Sequence, residues 1–169
     1  PVGLMAVVAA RELGAERVVA LDSVPERVAR AARFGAERVD GGKSAPLEVA
    51  RSATEGRGAD SGLEAVGSPA ATRLACELVR PGGTVAACGV HTESAFAFTP
   101  GEAYDKNLTY RAGRCPARVY MGRSLELVRS RRYPFAAMIS HRMPLEDTPR
   151  GYESFDAKRE GCTKVRLTP

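Results

Sequence analysis

Apolar residues fall along this chain in two alternating rhythms, one helical and one made of short β-branched runs. Residues 2–13, VGLMAVVAAREL, are apolar nearly all round, as expected of a helix wedged against a sheet. Gly14 supplies the left-handed residue that ends it. The run RVVALD that follows has the character of a buried parallel strand. Ser23 and Glu26 then read as a capping box with Pro25 in the first turn. Val24, Val28 and Ala31 or Ala32 repeat at helical spacing, and Gly35 closes the helix.

The alternation continues with a short strand at 38–40, a helix at 46–55 and a strand in ADSGLEAVG. Ser68 and Pro69 begin another helix, with Ala71, Leu74, Ala75, Leu78 and Val79 on its inward face. RPGG turns the chain into the strand TVAACGV. Repeated βα units with short loops imply a parallel sheet with right-handed crossovers and helices on both faces, an α/β doubly wound fold. After Val90 a Pro- and Gly-containing loop runs to about residue 101, followed by the strand NLTYRAG and a helix over 118–132. A capped helix at 146–159 and a terminal strand TKVRL complete the chain. The rhythm breaks near Cys115, so residues 1–115 are expected to form one domain and 116–169 a C-terminal α/β tail.

Composition narrows the setting. With 169 residues, 44% of them hydrophobic, the chain can bury a sizeable core, which excludes disorder. Arg11 and Glu12 interrupt the first apolar run well short of a membrane span, and the start lacks the features of a signal peptide, so a cytoplasmic protein is expected. Cys76, Cys88, Cys115 and Cys162 are too far apart for a metal knuckle or a dense disulfide framework and read as reduced, mostly buried thiols. The net charge of +5 comes from basic residues scattered among 20 acids, with only 6% aromatics, which argues for a solvated surface rather than nucleic-acid binding. His91 and His141 stand singly and read as loop or structural residues. Met121, Leu125 and Val128 make 118–132 an amphipathic helix with a basic face.

The chemistry is concentrated at the beginning. In a doubly wound nucleotide-binding fold a glycine turn leads into a helix whose N-terminus holds the pyrophosphate, and about twenty residues on an acid takes the ribose hydroxyls. Gly3 and Asp22 stand in that relation, so the first strand and the earlier glycines are expected upstream of Pro1. An acid at this place can also simply begin a capping turn.

PVGLMAVVAARELGA, LDSVPERVARAARFGA, GRGAD, LEAVG, LVRPGGTVAACGV and GCTKVRLTP together resemble the coenzyme-binding half of the zinc-dependent medium-chain alcohol dehydrogenases. The resemblance implies a Rossmann-type domain lacking its first strand, binding NAD and serving hydride transfer between an alcohol or aldehyde substrate and that coenzyme. It implies that the N–H groups of Val2 and Gly3 face the pyrophosphate, that Asp22 and Arg27 meet the adenosine ribose, and that Ala65, Val66 and Gly67 line the adenosine side. Cys88, Gly89 and Val90, with Gly113 and Cys115, match segments that hold the carboxamide, and Lys164 a basic residue that reaches the pyrophosphate. It further implies a homo-oligomer paired through the edge strand near 107–113, and zinc ligands and catalytic residues that lie outside this chain. A sheet without its first strand would leave backbone groups unpaired, so the chain expressed alone is expected to be aggregation-prone or only partly folded. Two other readings use the same residues: an S-adenosylmethionine-dependent methyltransferase, which often carries a Pro-Gly-Gly turn like that in LVRPGGTV, and a non-catalytic dinucleotide-binding or dimerising module. Ser61 and Gly62, poor strand formers inside a predicted strand, have no functional account from sequence.

Overall fold

A computed structural model describes residues 1–37, 46–157 and 161–169, and these divide into two compact units, Val2–Pro116 and Ala117–Pro169 with Pro1. The first unit runs α1 (Val2–Glu12), α2 (Pro25–Ala32), α3 (Pro46–Ser52), β1 (Ala59–Glu64), α4 (Pro69–Leu78), β2 (Val79–Ala87), α5 (Pro100–Asp105) and β3 (Thr109–Ala112). Its sheet has the order β1-β2-β3 with both pairings parallel, so this is an α/β fold of the kind the alternation implies. Parallel pairing sends all three strands out of the sheet at one edge, and the loops that leave there define the functional end of the unit.

Packing explains why these elements hold. Val79 and Val85 of β2, 2% and 0% exposed, close a core with Ala75 and Cys76 of α4, and Phe98, Leu108 and Tyr110 pack against it. Each such buried valine contributes roughly 1.5–3 kcal/mol. Phe96, Phe98 and Tyr110 stack among themselves at centroid distances of 5.3–5.7 Å. Lys106 donates to the carbonyls of Cys76 and Glu77, where α4 ends and the helix dipole favours a cation. A cavity of about 180 Å³ beside Lys106, lined also by Arg51, Gly58 and Val79, lies at the edge where the strands enter.

Several local expectations are corrected. RVVALD forms no full strand: among the described residues it makes a single parallel bridge, Val19 with Glu37, in which Glu37 N–H donates to Val18 O at 2.7 Å. The strand expected at 38–40 lies outside the described residues. The Ser23–Glu26 capping box is absent, because Val24 is the N-cap and its N–H is taken by Asp22 Oδ1 at 3.0 Å. The buried face of α4 is Thr72, Ala75 and Cys76, turned by one residue from the predicted stripe because Thr72 has a polar partner inside. RPGG does not precede the strand but is absorbed into β2 as an irregularity, the register stepping from Ala59–Val79 to Ser61–Thr84. The expected loop to residue 101 already contains the start of α5, nucleated by a full capping box between Thr99 and Glu102.

The structure also accounts for Gly62. A Cβ there would stand 3.1 Å from Val79 Cγ1 and 3.3 Å from Ala75 O, so the missing side chain is what lets α4 lie close on β1.

The second unit runs α6 (Ala117–Arg129), a 3-10 turn Phe135–Met138, β4 (His141–Pro144), a 3-10 turn Leu145–Asp147, α7 (Thr148–Asp156) and β5 (Val165–Thr168). The predicted helix over 146–159 therefore starts as a 3-10 turn, and the sequence reading missed β4, which pairs in parallel with β5. Gly151 lets α7 approach that pair, with Val165 Cγ1 only 3.4 Å from a Cβ built at this position. Ser140 Oγ accepts from the N–H groups of Thr163 and Lys164 at 2.9 and 3.2 Å. The same Ser140 Oγ lies 2.9 Å from His141 Nδ1, giving that histidine its structural place. Met121, Leu125 and Val128 of α6 are exposed rather than packed. No helix among the described residues is long and apolar enough to cross a membrane.

Gly62→Ala is expected to lower stability by about 1–3 kcal/mol, since Val79 is buried and cannot yield. Ser61→Ala, at the exposed neighbouring position, is expected to be nearly neutral. Urea denaturation of the two variants checks both.

Candidate functional site

The edge where the strands leave is organised by one carboxylate that the sequence reading did not single out. Glu64 is the last residue of β1, and its side chain is 1% exposed. Oε1 accepts from the N–H groups of Val66 and Gly67 at 2.6 and 2.7 Å, and Oε2 lies 3.0 Å from His91 Nε2. An ionised carboxylate only accepts, so His91 carries its proton on Nε2. That nitrogen is also 3.4 Å from Thr72 Oγ1 on α4. The main chain of the same residue works too: Glu64 O accepts from Cys88 N–H at 2.7 Å and Gly89 N–H at 3.2 Å, just past β2.

Two glycines make this convergence possible. Gly67 has φ +86°, and a Cβ on it would lie 2.3 Å from Val90 O. A Cβ on Gly89 would lie 2.1 Å from Gly67 N. No other residue fits at either place without moving backbone. On the other side, a Cβ at Gly3 would meet Ala65 Cβ at 3.9 Å, which brings the N-terminus of α1 beside the end of β1.

The predicted site residues are thereby distributed in groups. Gly3 and Ala65 meet, as do Gly67, Cys88, Gly89 and Val90 around Glu64. Val2, Val66 and Val90 are exposed at 53%, 75% and 82%. Gly113 and Cys115 follow β3, whose Ala112 is opposite Ala87, so they leave at the same edge as Cys88. Asp22 and Arg27 form their own half-exposed pair at 3.6 Å, with Asp22 also capping the turn into α2. Lys164 belongs to the second unit and is exposed. Cys88 and Cys115 are exposed free thiols, whereas Cys76 and Cys162 are buried, which corrects the expectation of mostly buried cysteines. His91 is structural as expected but does not stand alone. A cavity of about 130 Å³ opens beside it, lined also by Pro69, Thr72, Phe96 and Tyr110.

A parallel α/β sheet whose glycine-bearing loops converge at the strand-exit edge, beside a helix N-terminus, has the architecture of the nucleotide-binding α/β class. More narrowly, the chain belongs to the zinc-binding dehydrogenase family, whose pattern matches residues 1–128. It is 35% identical over 161 residues to zinc-type alcohol dehydrogenase B of Aspergillus flavus, covering 94% of this chain and 37% of that protein. It is 33% identical over 146 residues to the NADP-dependent isopropanol dehydrogenase of Thermoanaerobacter brockii, covering 83% of this chain and 42% of that one. Among solved structures, the alcohol dehydrogenase TADH from Thermus sp. ATN1 superposes with a TM-score of 0.91 at 43% identity, over 100% of this chain and 48% of that chain. The chain thus spans half or less of the length of these relatives. Membership in this family displaces the methyltransferase reading. Among the described residues, no three His, Cys, Asp or Glu side chains come together as a metal site.

Burial is the largest single influence on the Glu64 carboxyl and pushes its pKa up. The N–H groups of Gly67 and Val66, with His91, together outweigh burial and hold it below the ordinary value of 4.5. A carboxylate depressed in the fold contributes stability above its unfolded value, and that contribution is lost as pH falls through the folded value. The melting temperature is therefore expected to drop on acidification from pH 5 to pH 3 more steeply in the native chain than in Glu64→Gln. Thermal melts followed by circular dichroism across that range check the slope.

Proposed function

We propose that this chain forms the NAD-binding portion of a zinc-dependent oxidoreductase that transfers a hydride between an alcohol or aldehyde substrate and the coenzyme. The observation that carries the reading is the convergence of Ala65–Gly67 and Cys88–Val90 at the strand-exit edge, with the start of α1 alongside. Gly3 at the first turn of α1 leaves backbone N–H groups and the positive end of the helix dipole free for a pyrophosphate. Val66 and Val90, exposed and apolar, offer faces to the coenzyme rings. Gly113 and Cys115 at the same edge complete the carboxamide side. Zinc, when bound by residues outside these 169, supplies a Lewis acid for the substrate oxygen. The part of this chain is to bind and orient the dinucleotide. The strand β3, which among the described residues pairs with β2 only, offers its other side to a second copy.

The choice of NAD rests on Asp22. Its carboxylate keeps lone pairs beyond those given to Val24 N–H and Arg27, enough to accept from ribose hydroxyls, and its charge opposes a 2′-phosphate. One of the relatives is named as NADP-dependent, so the preference has to be measured in this protein.

NADH is expected to bind at least about tenfold more tightly than NADPH, a margin that like-charge repulsion supplies. Asp22→Asn keeps an oxygen for Val24 N–H and is expected to narrow the margin. Calorimetric titration of both coenzymes into the full native polypeptide tests this. Equal or tighter NADPH binding by the native protein would overturn the NAD assignment, and binding of neither would overturn the whole reading.

A further inference from the structure

The loops at the strand-exit edge have little packing of their own. Val66 and Val90 are 75% and 82% exposed, and the glycines between them contribute no side chains. Burial of hydrophobic groups, which fixes β2 and α4, cannot fix these loops. What does fix them is a single residue from two directions, Glu64 O on the N–H groups of Cys88 and Gly89, and the Glu64 carboxylate on Val66, Gly67 and His91.

The main-chain half of this arrangement is only the sheet ladder carried past its end, and any residue at this position would supply it. The carboxylate half is particular to an acid. A stability device has no need of it, because a buried carboxylate is costly and an apolar side chain fills the same space. Its three partners are all on the two loops. His91 in turn reaches Thr72 on α4, so the carboxylate also sets the loops against the helix.

We infer that Glu64 is a positioning residue for the dinucleotide: its carboxylate holds the loops 65–67 and 88–91 at the one separation at which their backbone can line the coenzyme. The inference rests on the dinucleotide reading above. Preorganised loops do not have to be ordered by the ligand at its own expense, so the expected consequence lies in affinity.

The test compares Glu64→Ala, Glu64→Gln and Val85→Ala in the full native polypeptide, with NADH as the probe. Val85 is a fully buried core residue that makes none of the Glu64 contacts, so Val85→Ala reports what destabilisation alone does. Glu64→Ala is expected to weaken NADH binding about tenfold, the scale of one lost charge-assisted hydrogen bond, and to shift the Val66 and Gly67 amide resonances. In Glu64→Gln the amide oxygen still accepts from both N–H groups, and the NH2 is met by the His91 tautomer whose Nε2 lacks a proton, so affinity is expected to recover to near the native value. Val85→Ala is expected to melt earlier with its Kd unchanged. Should Glu64→Ala fail to fold, His91→Ala removes one anchor of the same carboxylate and is expected to weaken NADH severalfold.

Native-like affinity in Glu64→Ala, or in His91→Ala where it stands in, would overturn the inference while leaving the dinucleotide reading intact. So would an equal loss in Val85→Ala. A native protein that binds no NADH would remove both together.

Discussion

A carboxylate can be buried only where its lone pairs are met, and the first unit is built around meeting those of Glu64. The requirement fixes more than one side chain. The chain must reverse immediately after β1 so that two successive N–H groups point back at Oε1, and this reversal puts Gly67 in the left-handed region. The returning strand β2 must then end level with β1, so that Gly89 can sit directly on Gly67 and His91 can reach Oε2. Thr72 must be buried on α4, which turns the helix by one residue from its most apolar face. One buried charge therefore accounts for two glycines, a histidine and a helix rotation.

The same logic of close approach runs through the body of the sheet. Gly62 and Gly83 both stand where a Cβ would meet Val79, and both lie on the segments that α4 and the β2 irregularity bring together. Small residues here are a cost to strand propensity accepted for a short distance between layers. That distance is what buries Val79 and Val85 in the core between α4 and the sheet.

How much of this was visible in the sequence follows from the range of each interaction. Apart from the RVVALD run and β4, the order of helices and strands was legible because hydrophobic period and glycine stops are local signals, and Gly3, Gly67, Gly89 and Asp22 could be marked because the family pattern places them. The capping box at Thr99–Glu102 was also local, in TPGE, and could have been read. Glu64 was not legible as a hub. Its partners lie next to it in sequence and also beyond β2, so only the register of β1 on β2 shows that the acid points inward. The irregular entry to β2 was hidden for a similar reason, since RPGG has the chemistry of a turn and only pairing with β1 reveals it as part of a strand.

On the proposed reading, Asp22 combines a structural role with a recognition role. Oδ1 begins the turn into α2 and Oδ2 faces Arg27 at 3.6 Å, yet both side chains remain a third or more exposed. A carboxylate offers about four acceptor positions, so a turn N–H and one guanidinium leave room for two ribose hydroxyls. The turn and the ion pair hold the acid in one orientation before any ligand arrives, which makes it a better acceptor than a freely rotating side chain. The nearby Arg27 cuts the other way, because its charge partly offsets the repulsion that Asp22 offers to a 2′-phosphate. On the proposed reading, coenzyme preference is set by the balance within this half-exposed ion pair, and the acid, held from both sides, has the advantage of fixed geometry.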